Sequence, residues 1–490
     1  LAQVIRCDLD NMYGPWTVLL SSFVLAQCQV KVMTPSWLVQ KFSQNHGRIM
    51  GSTATFGAPF YGERVWGQLV YGRSDRNHHC TKEDYDIPAP SLVKAGDSGY
   101  NKVRLINIVM VRRGNCSFTT KVRIAQDYKE AHAVIIIDRE DSDFTQESLA
   151  NIIVADDGYG DGIHIPSVLI SKEDGRHLIE AVERPQVQVV VEMAWDIPTD
   201  KVVTMDMWMS SASIESNKFL KEFAPKRRVL NEVMIFTPHY AVFSMEKGNP
   251  EVYSGVCLAN DPRFCAEDPD GAGAITGEDA LMEDVRQLCI HDRTKMKRSS
   301  LEDLMSGKHL VEYAAKYWDY MERFLDRCPL DGTGRSKFGL ECSERVMQEV
   351  GIDPKDIQDC VVRRKETILQ KELDNPAWSP RAIRINGWRY SGMLEADLVV
   401  RAVCSGFIHM PAECNQLYQE RDVFRPYVVQ KGGVSLGELF GWLLATIALG
   451  FVCMLLYKRY LKKEMRTTLR EEVMLEVQAQ MGEYAQLRGA

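Results

Sequence analysis

The run LFGWLLATIALGFVCMLLY, Leu439 to Tyr457, carries no charged residue, and at ~1.5 Å per residue a helix of that length just crosses a ~30 Å hydrocarbon layer. No other feature restricts the chain as strongly, because whatever precedes Leu439 and whatever follows Tyr457 must then fold on opposite sides of a membrane. A buried core helix is the competing reading, and it is weakened by the cluster that follows at once, Lys458, Arg459, Lys462 and Lys463. That cluster marks the C-terminal side as cytosolic. Residues 439–457 are read as one transmembrane helix and 458–490 as a cytosolic tail. Near the other end, MYGPWTVLLSSFVLAQC, Met12 to Cys28, has an apolar run closing on the small residues Ala26 and Cys28, the pattern of a signal peptide. The expectation is a signal peptide over 12–28 with initiation at Met12, Leu1 to Asn11 as upstream sequence, and a type I orientation.

Cysteine usage agrees with a secretory compartment. Of thirteen cysteines, Cys7 lies upstream, Cys28 at the cleavage site and Cys453 within the span, which leaves Cys80, Cys116, Cys257, Cys265, Cys289, Cys328, Cys342, Cys360, Cys404 and Cys414. An even number in that compartment is read as five disulfides, with a connectivity that spacing alone does not give. A formal net charge of -8 with both signs interspersed argues against a nucleic-acid surface.

Residues 29–198 alternate short apolar runs (GQLVYG, INIVMVRRG, AVIIIDRE, IPSVLIS, VQVVVEMAW) with the helical pattern TTKVRIAQDYKEAH. Mixed sheet plus helix is the simplest account, and Cys80 and Cys116, the two cysteines of this stretch after cleavage, are expected to pair. A cysteine-rich segment, 199–414, follows, and 415–438 is left as a lumenal stalk.

Here a resemblance enters. GAPFYGERVWGQLVYG, VRRGNCSFTTKVRIAQDYKEAHAVIIID and IHIPSVLISKEDG resemble the protease-associated domain in order and spacing. MWMSSAS, FTPHY, RFCAEDPD, EDVRQLC, ECSERVMQEVGID and VVRAVCSGF are similar, in sequence, to the central region of plant-type vacuolar sorting receptors. The resemblance covers roughly Lys31 to Cys414. It implies an α/β multidomain protein: a protease-associated domain, a disulfide-rich thioredoxin-like domain, then one transmembrane helix. It also implies a lumenal cargo receptor of the Golgi, trans-Golgi network and endosomal or prevacuolar membranes, without cofactor or catalysis, whose partners are soluble vacuolar or lysosomal proteins and a clathrin adaptor. Cargo contact is implied for the loop Arg113, Gly114, Asn115, Cys116, Ser117 and Phe118, where Arg113 can hold a carboxylate bidentately and Gly114 admits a backbone. Three departures stand out. The family's cysteine pair after the first central strand is replaced by SSASIES, Ser210 to Ser216; its Arg-Gly-Asp-Cys loop reads Arg113-Gly114-Asn115-Cys116; and Asn415 to Glu438 leaves no room for the usual epidermal-growth-factor-like repeats.

In the tail, Tyr484 and Leu487 form Y-x-x-L. In an extended segment such residues reach separate apolar pockets, the recognition used by clathrin adaptor subunits. Upstream, Leu461, Met465, Leu469 and Val473 recur every fourth residue, an amphipathic helix that could pair, lie on lipid or act as a spacer.

For a protease the chain offers no H-E-x-x-H, and for a RING ligase the tail after Lys458 offers no Cys or His ligand. A thiol oxidoreductase is the serious enzymatic alternative, because WSPRAIRINGWRYSG resembles a thioredoxin segment in which Ser379-Pro380 would be cis; without C-x-x-C that fold is expected to serve binding. A redox-inactive escort or adhesion protein of the secretory pathway is the other alternative. His78-His79-Cys80 is a weak metal set, since adjacent side chains diverge and a disulfided Cys80 cannot coordinate. DREDSDFTQE, Asp138 to Glu147, lacks the glycine of a calcium loop and is read as a solvated acidic loop. Asn115-Cys116-Ser117 is a glycosylation sequon, and His132, His164 and His239 are candidates for acid-triggered cargo release.

Overall fold

The computed structural model describes residues 28–42, 46–74, 78–87, 105–231, 233–245, 255–269, 274–296, 314–418, 421–425, 427 and 436–487. The expected signal peptide lies outside them, save for Cys28. The chain divides into a unit ending at Tyr427 and a second unit from Val428 onward.

The first half of the larger unit is a closed barrel. Its elements are β1 (Cys28–Thr34), α1 (Ser36–Lys41), β2 (Arg48–Thr53), β3 (Arg64–Tyr71), β4 (Ile106–Arg112), α2 (Phe118–Tyr128), β5 (Ala133–Ile137), α3 (Gln146–Ala150), β6 (Ser167–Ile170), α4 (Lys172–Val182) and β7 (Val190–Ala194). The strands close in the order β1-β2-β6-β5-β4-β3-β7, with β3, β4, β5 and β6 parallel. The apolar runs of β4 and β5 are buried along nearly their whole length, which is what parallel strands covered on both faces require. In-register pairing sets Arg112 beside Ile137, so the loops leaving these two strands emerge side by side.

The second half holds β8 (Val203–Met209), α5 (Ile214–Val229) and β9 (Met234–Tyr240), with β8 and β9 parallel, as a strand-helix-strand crossover demands. A helical insertion follows: α6 (Gly277–Thr294), α7 (Ala315–Arg327), α8 (Leu340–Glu349) and α9 (Pro354–Leu373). Thr276 and Asp279 form a capping box at the start of α6, fixing where the insertion begins. The chain then returns to the sheet as β10 (Ile383–Ile385) and β11 (Trp388–Arg389), giving the order β11-β10-β8-β9, and ends the unit with α10 (Ala396–Ser405) and α11 (Ala412–Leu417). The five disulfides pair Cys80 with Cys116, Cys257 with Cys265, Cys289 with Cys360, Cys328 with Cys342 and Cys404 with Cys414. The first is the expected pair. Cys289–Cys360 ties α6 to α9, and Cys404–Cys414 ties α10 to α11.

The two halves are joined through the segment after β11. Tyr390 stacks on Tyr61 at 5.4 Å, the Tyr61 hydroxyl accepts from Ser391 N at 2.9 Å, and Gly392 N donates to Ala54 O at 2.9 Å. Gly392 has φ +106, and a Cβ there would come 2.5 Å from Pro59 Cδ, so only glycine allows this approach.

Three expectations need correction. The stalk does not begin at Asn415: Arg421 packs half-buried on the barrel, donating to Ala58 O at 2.8 Å and lying 4.6 Å from the Phe60 ring centre, and Phe424 meets the His132 ring. Its apolar and cationic side chains find partners there that a free stalk would leave in water. Ser379-Pro380 is not cis; among the described residues the cis peptide is Thr34-Pro35. Finally, the described residues of the second unit form one continuous helix, α12 (Leu436–Leu487), whose Gly441–Gln478 stretch contains the candidate membrane span. Tyr484 and Leu487 therefore lie in helical rather than extended backbone, since nothing between Tyr457 and Leu487 breaks the helix except the tolerated Gly482.

Candidate functional site

The loop from Arg113 to Phe118 leaves the end of β4 and is folded tightly upon itself. Gly114 at φ +126 and Asn115 at φ +65 are both left-handed, and Cys116 N closes the turn on Gly114 O at 2.8 Å. Ser117 then caps α2, accepting from Thr120 N at 3.3 Å, while Thr119 donates to Asp157 Oδ1 at 2.6 Å. Asn115 is exposed at the tip.

Beneath the loop the polar groups are all committed to holding it. The Cys80–Cys116 bridge joins it to the turn at His78 and His79, two further left-handed residues at φ +51 and +64. Lys121 is fully buried; its ammonium donates to His78 O and lies 3.4 Å from Cys80 Sγ. Burial lowers the Lys121 amine to about 8, opposed by the charge of Asp84. His79 is also fully buried. Its Nδ1 accepts from Arg112 N at 3.1 Å, so Nε2 carries the proton and donates to Gly72 O at 2.8 Å. Burial pushes this imidazole down to about 4, and with both nitrogens engaged it has none to offer a metal.

Arg113 is held inward. Its Nη1 donates to Asp138 Oδ1 at 3.0 Å, and its guanidinium lies 5.5 Å from the Phe118 ring centre and 5.8 Å from that of Phe144. Any cargo carboxylate meeting Arg113 must share it with Asp138. This also corrects the reading of Asp138 to Glu147 as a solvated acidic loop, because Asp138 is 1% exposed and serves as the buried counter-ion. Two borders of the loop were missed in the sequence. Phe144, 47% exposed, flanks it across Arg113. The turn Asp156 to Asp161 flanks it across Thr119, held by Arg123 on Asp161 O at 2.7 Å and by Gly158 N and Gly160 N on Asp156 Oδ1; it presents Tyr159, 70% exposed. Isolated aromatics in polar loops carry no periodic signal, and only the register of β4 against β5 brings Phe144 to this edge.

In the second half, Ser213 caps α5 by accepting from Ser216 N at 3.2 Å. Ser216 is fully buried. These two serines stand three apart at a helix N-terminus, the arrangement in which a thiol pair would be activated, and a hydroxyl there supplies no redox chemistry. Ser211 N donates to Asp284 Oδ1 at 2.9 Å, and burial raises that carboxyl to about 8, so it is protonated at neutral pH. Beside it Trp208 stacks on His239 at 4.6 Å, and His239 contacts Glu372 at 3.0 Å. Of the three candidate histidines, His239 is thus in the second half, while His132 and His164 lie under the segment that carries Arg421 and Phe424.

Comparison with known proteins agrees with this division. Residues 203–404 match the vacuolar sorting receptor thioredoxin-like domain, and residues 65–178 match the PA domain. The chain is 27% identical over 423 residues to vacuolar-sorting receptor 2 of Arabidopsis thaliana, covering 80% of this chain and 61% of that protein. It is 28% identical over 425 residues to vacuolar-sorting receptor 1 of Pisum sativum, again 80% of this chain and 61% of the relative. The matches thus span about three fifths of these relatives. The chain is similar to the vacuolar sorting receptors, and the similarity runs through both halves of the larger unit.

Proposed function

We propose that this protein is a type I membrane receptor that binds soluble proteins in the lumen of the Golgi, trans-Golgi network and endosomal or prevacuolar compartments. Through its tail it engages a clathrin adaptor for delivery to a vacuole or lysosome-like organelle. The observation that carries the reading is the loop Arg113 to Phe118: it is locked from below by a disulfide, a buried lysine and an ion pair, yet presents an exposed tip between the exposed rings of Phe144 and Tyr159. A rigid loop bordered by aromatics binds an extended peptide without first being ordered, which removes much of the entropic cost of association. The relatives' names support sorting as the purpose.

The test is capture of secretory-pathway proteins by the full chain in detergent, compared with Phe144→Ala/Tyr159→Ala. Soluble hydrolases sharing a peptide segment, retained by the wild type and lost by the variant, are expected. Equal capture by both would move the site elsewhere, and clients held by mixed disulfides would favour the oxidoreductase alternative.

A further inference from the structure

Past the candidate span, α12 has a charge arrangement that crossing a membrane does not require. From Lys458 to Arg470 it carries six cations, Lys458, Arg459, Lys462, Lys463, Arg466 and Arg470, and one acid, Glu464. Topology is set by the number of cations near the span, whichever way they face. These do face one way. At ~100° per residue all six fall within an arc of ~140°, with Glu464 and Glu471 on the opposite side. All six are exposed, and Lys458 and Arg470 stand ~18 Å apart along the axis. The next stretch reverses sign: Glu471, Glu472, Glu476 and Glu483, with no Lys or Arg before Leu487.

We propose that the Lys458–Arg470 face binds anionic phospholipid headgroups of the leaflet from which the helix emerges. The proposal rests on the type I orientation given above. The first cations lie within headgroup reach of the span, and a cytosolic leaflet attracts each such charge by ~1 kcal/mol. A stripe on one side leans the helix toward that side. The glutamate stretch beyond is repelled by the same surface, so the end bearing Tyr484 stays clear of lipid. A second copy of this chain does not fit, because two copies in one membrane stand parallel and would oppose cation to cation.

The full chain in uncharged detergent is titrated with short-chain phosphatidylinositol 4,5-bisphosphate. Saturable binding is expected, weakened at least tenfold by Lys462→Gln/Lys463→Gln/Arg466→Gln. Lys458 and Arg459 are left in place to preserve orientation. A second variant, Lys462→Gln/Arg466→Gln/Glu464→Gln/Thr468→Lys, keeps the net charge but breaks the face, and it too should lose binding. Retained binding by this rearranged variant, or equal affinity for phosphatidylcholine, would overturn the face; the cations would then be left to an acidic protein surface. Protease protection in sealed vesicles separates the premise: a tail inaccessible from the cytosolic side overturns the orientation and the proposal together, whereas an accessible tail with unaltered binding in the variants overturns the face alone.

Discussion

Arg113 donates to Asp138 at 3.0 Å, and the carboxylate it neutralises is 1% exposed while its own side chain is 27% exposed. The residue that sequence resemblance assigns to cargo therefore also neutralises a buried charge. Arg113→Ala is expected to destabilise the barrel by ~2–3 kcal/mol, because the Asp138 carboxylate is left buried and unpaired. Adding Asp138→Asn should recover at least ~1 kcal/mol by removing that charge. Denaturant midpoints of the two variants check this. If the double variant regains stability without regaining cargo, Arg113 has a binding role besides its structural one; equal stability of the two would deny the pair.

Cys80→Ser or Cys116→Ser should cost the barrel ~2–5 kcal/mol, and Lys121→Met should cost less than either, since it removes a desolvated ammonium along with its bond to His78 O. Thermal unfolding with peptide mapping of free thiols reads both. Free Cys80 and Cys116 thiols in mature protein would contradict the bridge.

The two halves should respond to acid in different ways. His79, ordinarily 6.5 and lowered to about 4 in the barrel, binds no proton in the folded state where the unfolded chain does. Its contribution is whole above pH 6.5 and declines by ~1.4 kcal/mol per unit as pH falls toward 4. His164, lowered by burial and by Arg421, moves the same way, and Asp174, raised by burial, opposes them. In the second half His291, lowered by burial to about 3, also loses stability below 6.5. There Asp284, raised to about 8, gains stability as pH falls from 8 toward 4, and the two nearly offset. The barrel should thus lose stability between pH 6.5 and 5 while the second half holds. Hydrogen exchange at pH 7 and pH 5 measures each half separately, and uniform protection at both values would reject the argument. Asp284→Asn should raise second-half stability at pH 8 and leave it little altered at pH 5.

Much of this was legible in the sequence because it depends on local pattern. The apolar strands, the span and the Cys80–Cys116 pair follow from periodicity, length and cysteine count. What was not legible depends on register and long-range packing. Arg113 meets Asp138 only because Arg112 pairs with Ile137 across parallel strands, and Cys289 meets Cys360 only because α6 packs on α9 across 71 residues. The docking of the segment around Arg421 was hidden for the same reason: nothing in so polar a stretch signals that Arg421 will meet Ala58 O and the Phe60 ring.

The final expectation concerns Tyr484 and Leu487. The backbone here is helical, whereas an adaptor that reads Y-x-x-L as a strand needs the last turn unwound. Gln486→Gly lowers helix propensity by roughly 1 kcal/mol without touching either anchor, so it should strengthen adaptor binding by up to about fivefold. Tyr484→Ala should abolish binding, since each buried anchor contributes ~1.5–3 kcal/mol. Affinity of the full chain for a purified adaptor medium subunit reads both variants, with surface leakage of the receptor as the cellular measure. Weakening by Gln486→Gly would mean that the partner recognises the helix itself, and unaltered binding after Tyr484→Ala would move the signal upstream to Leu461–Val477.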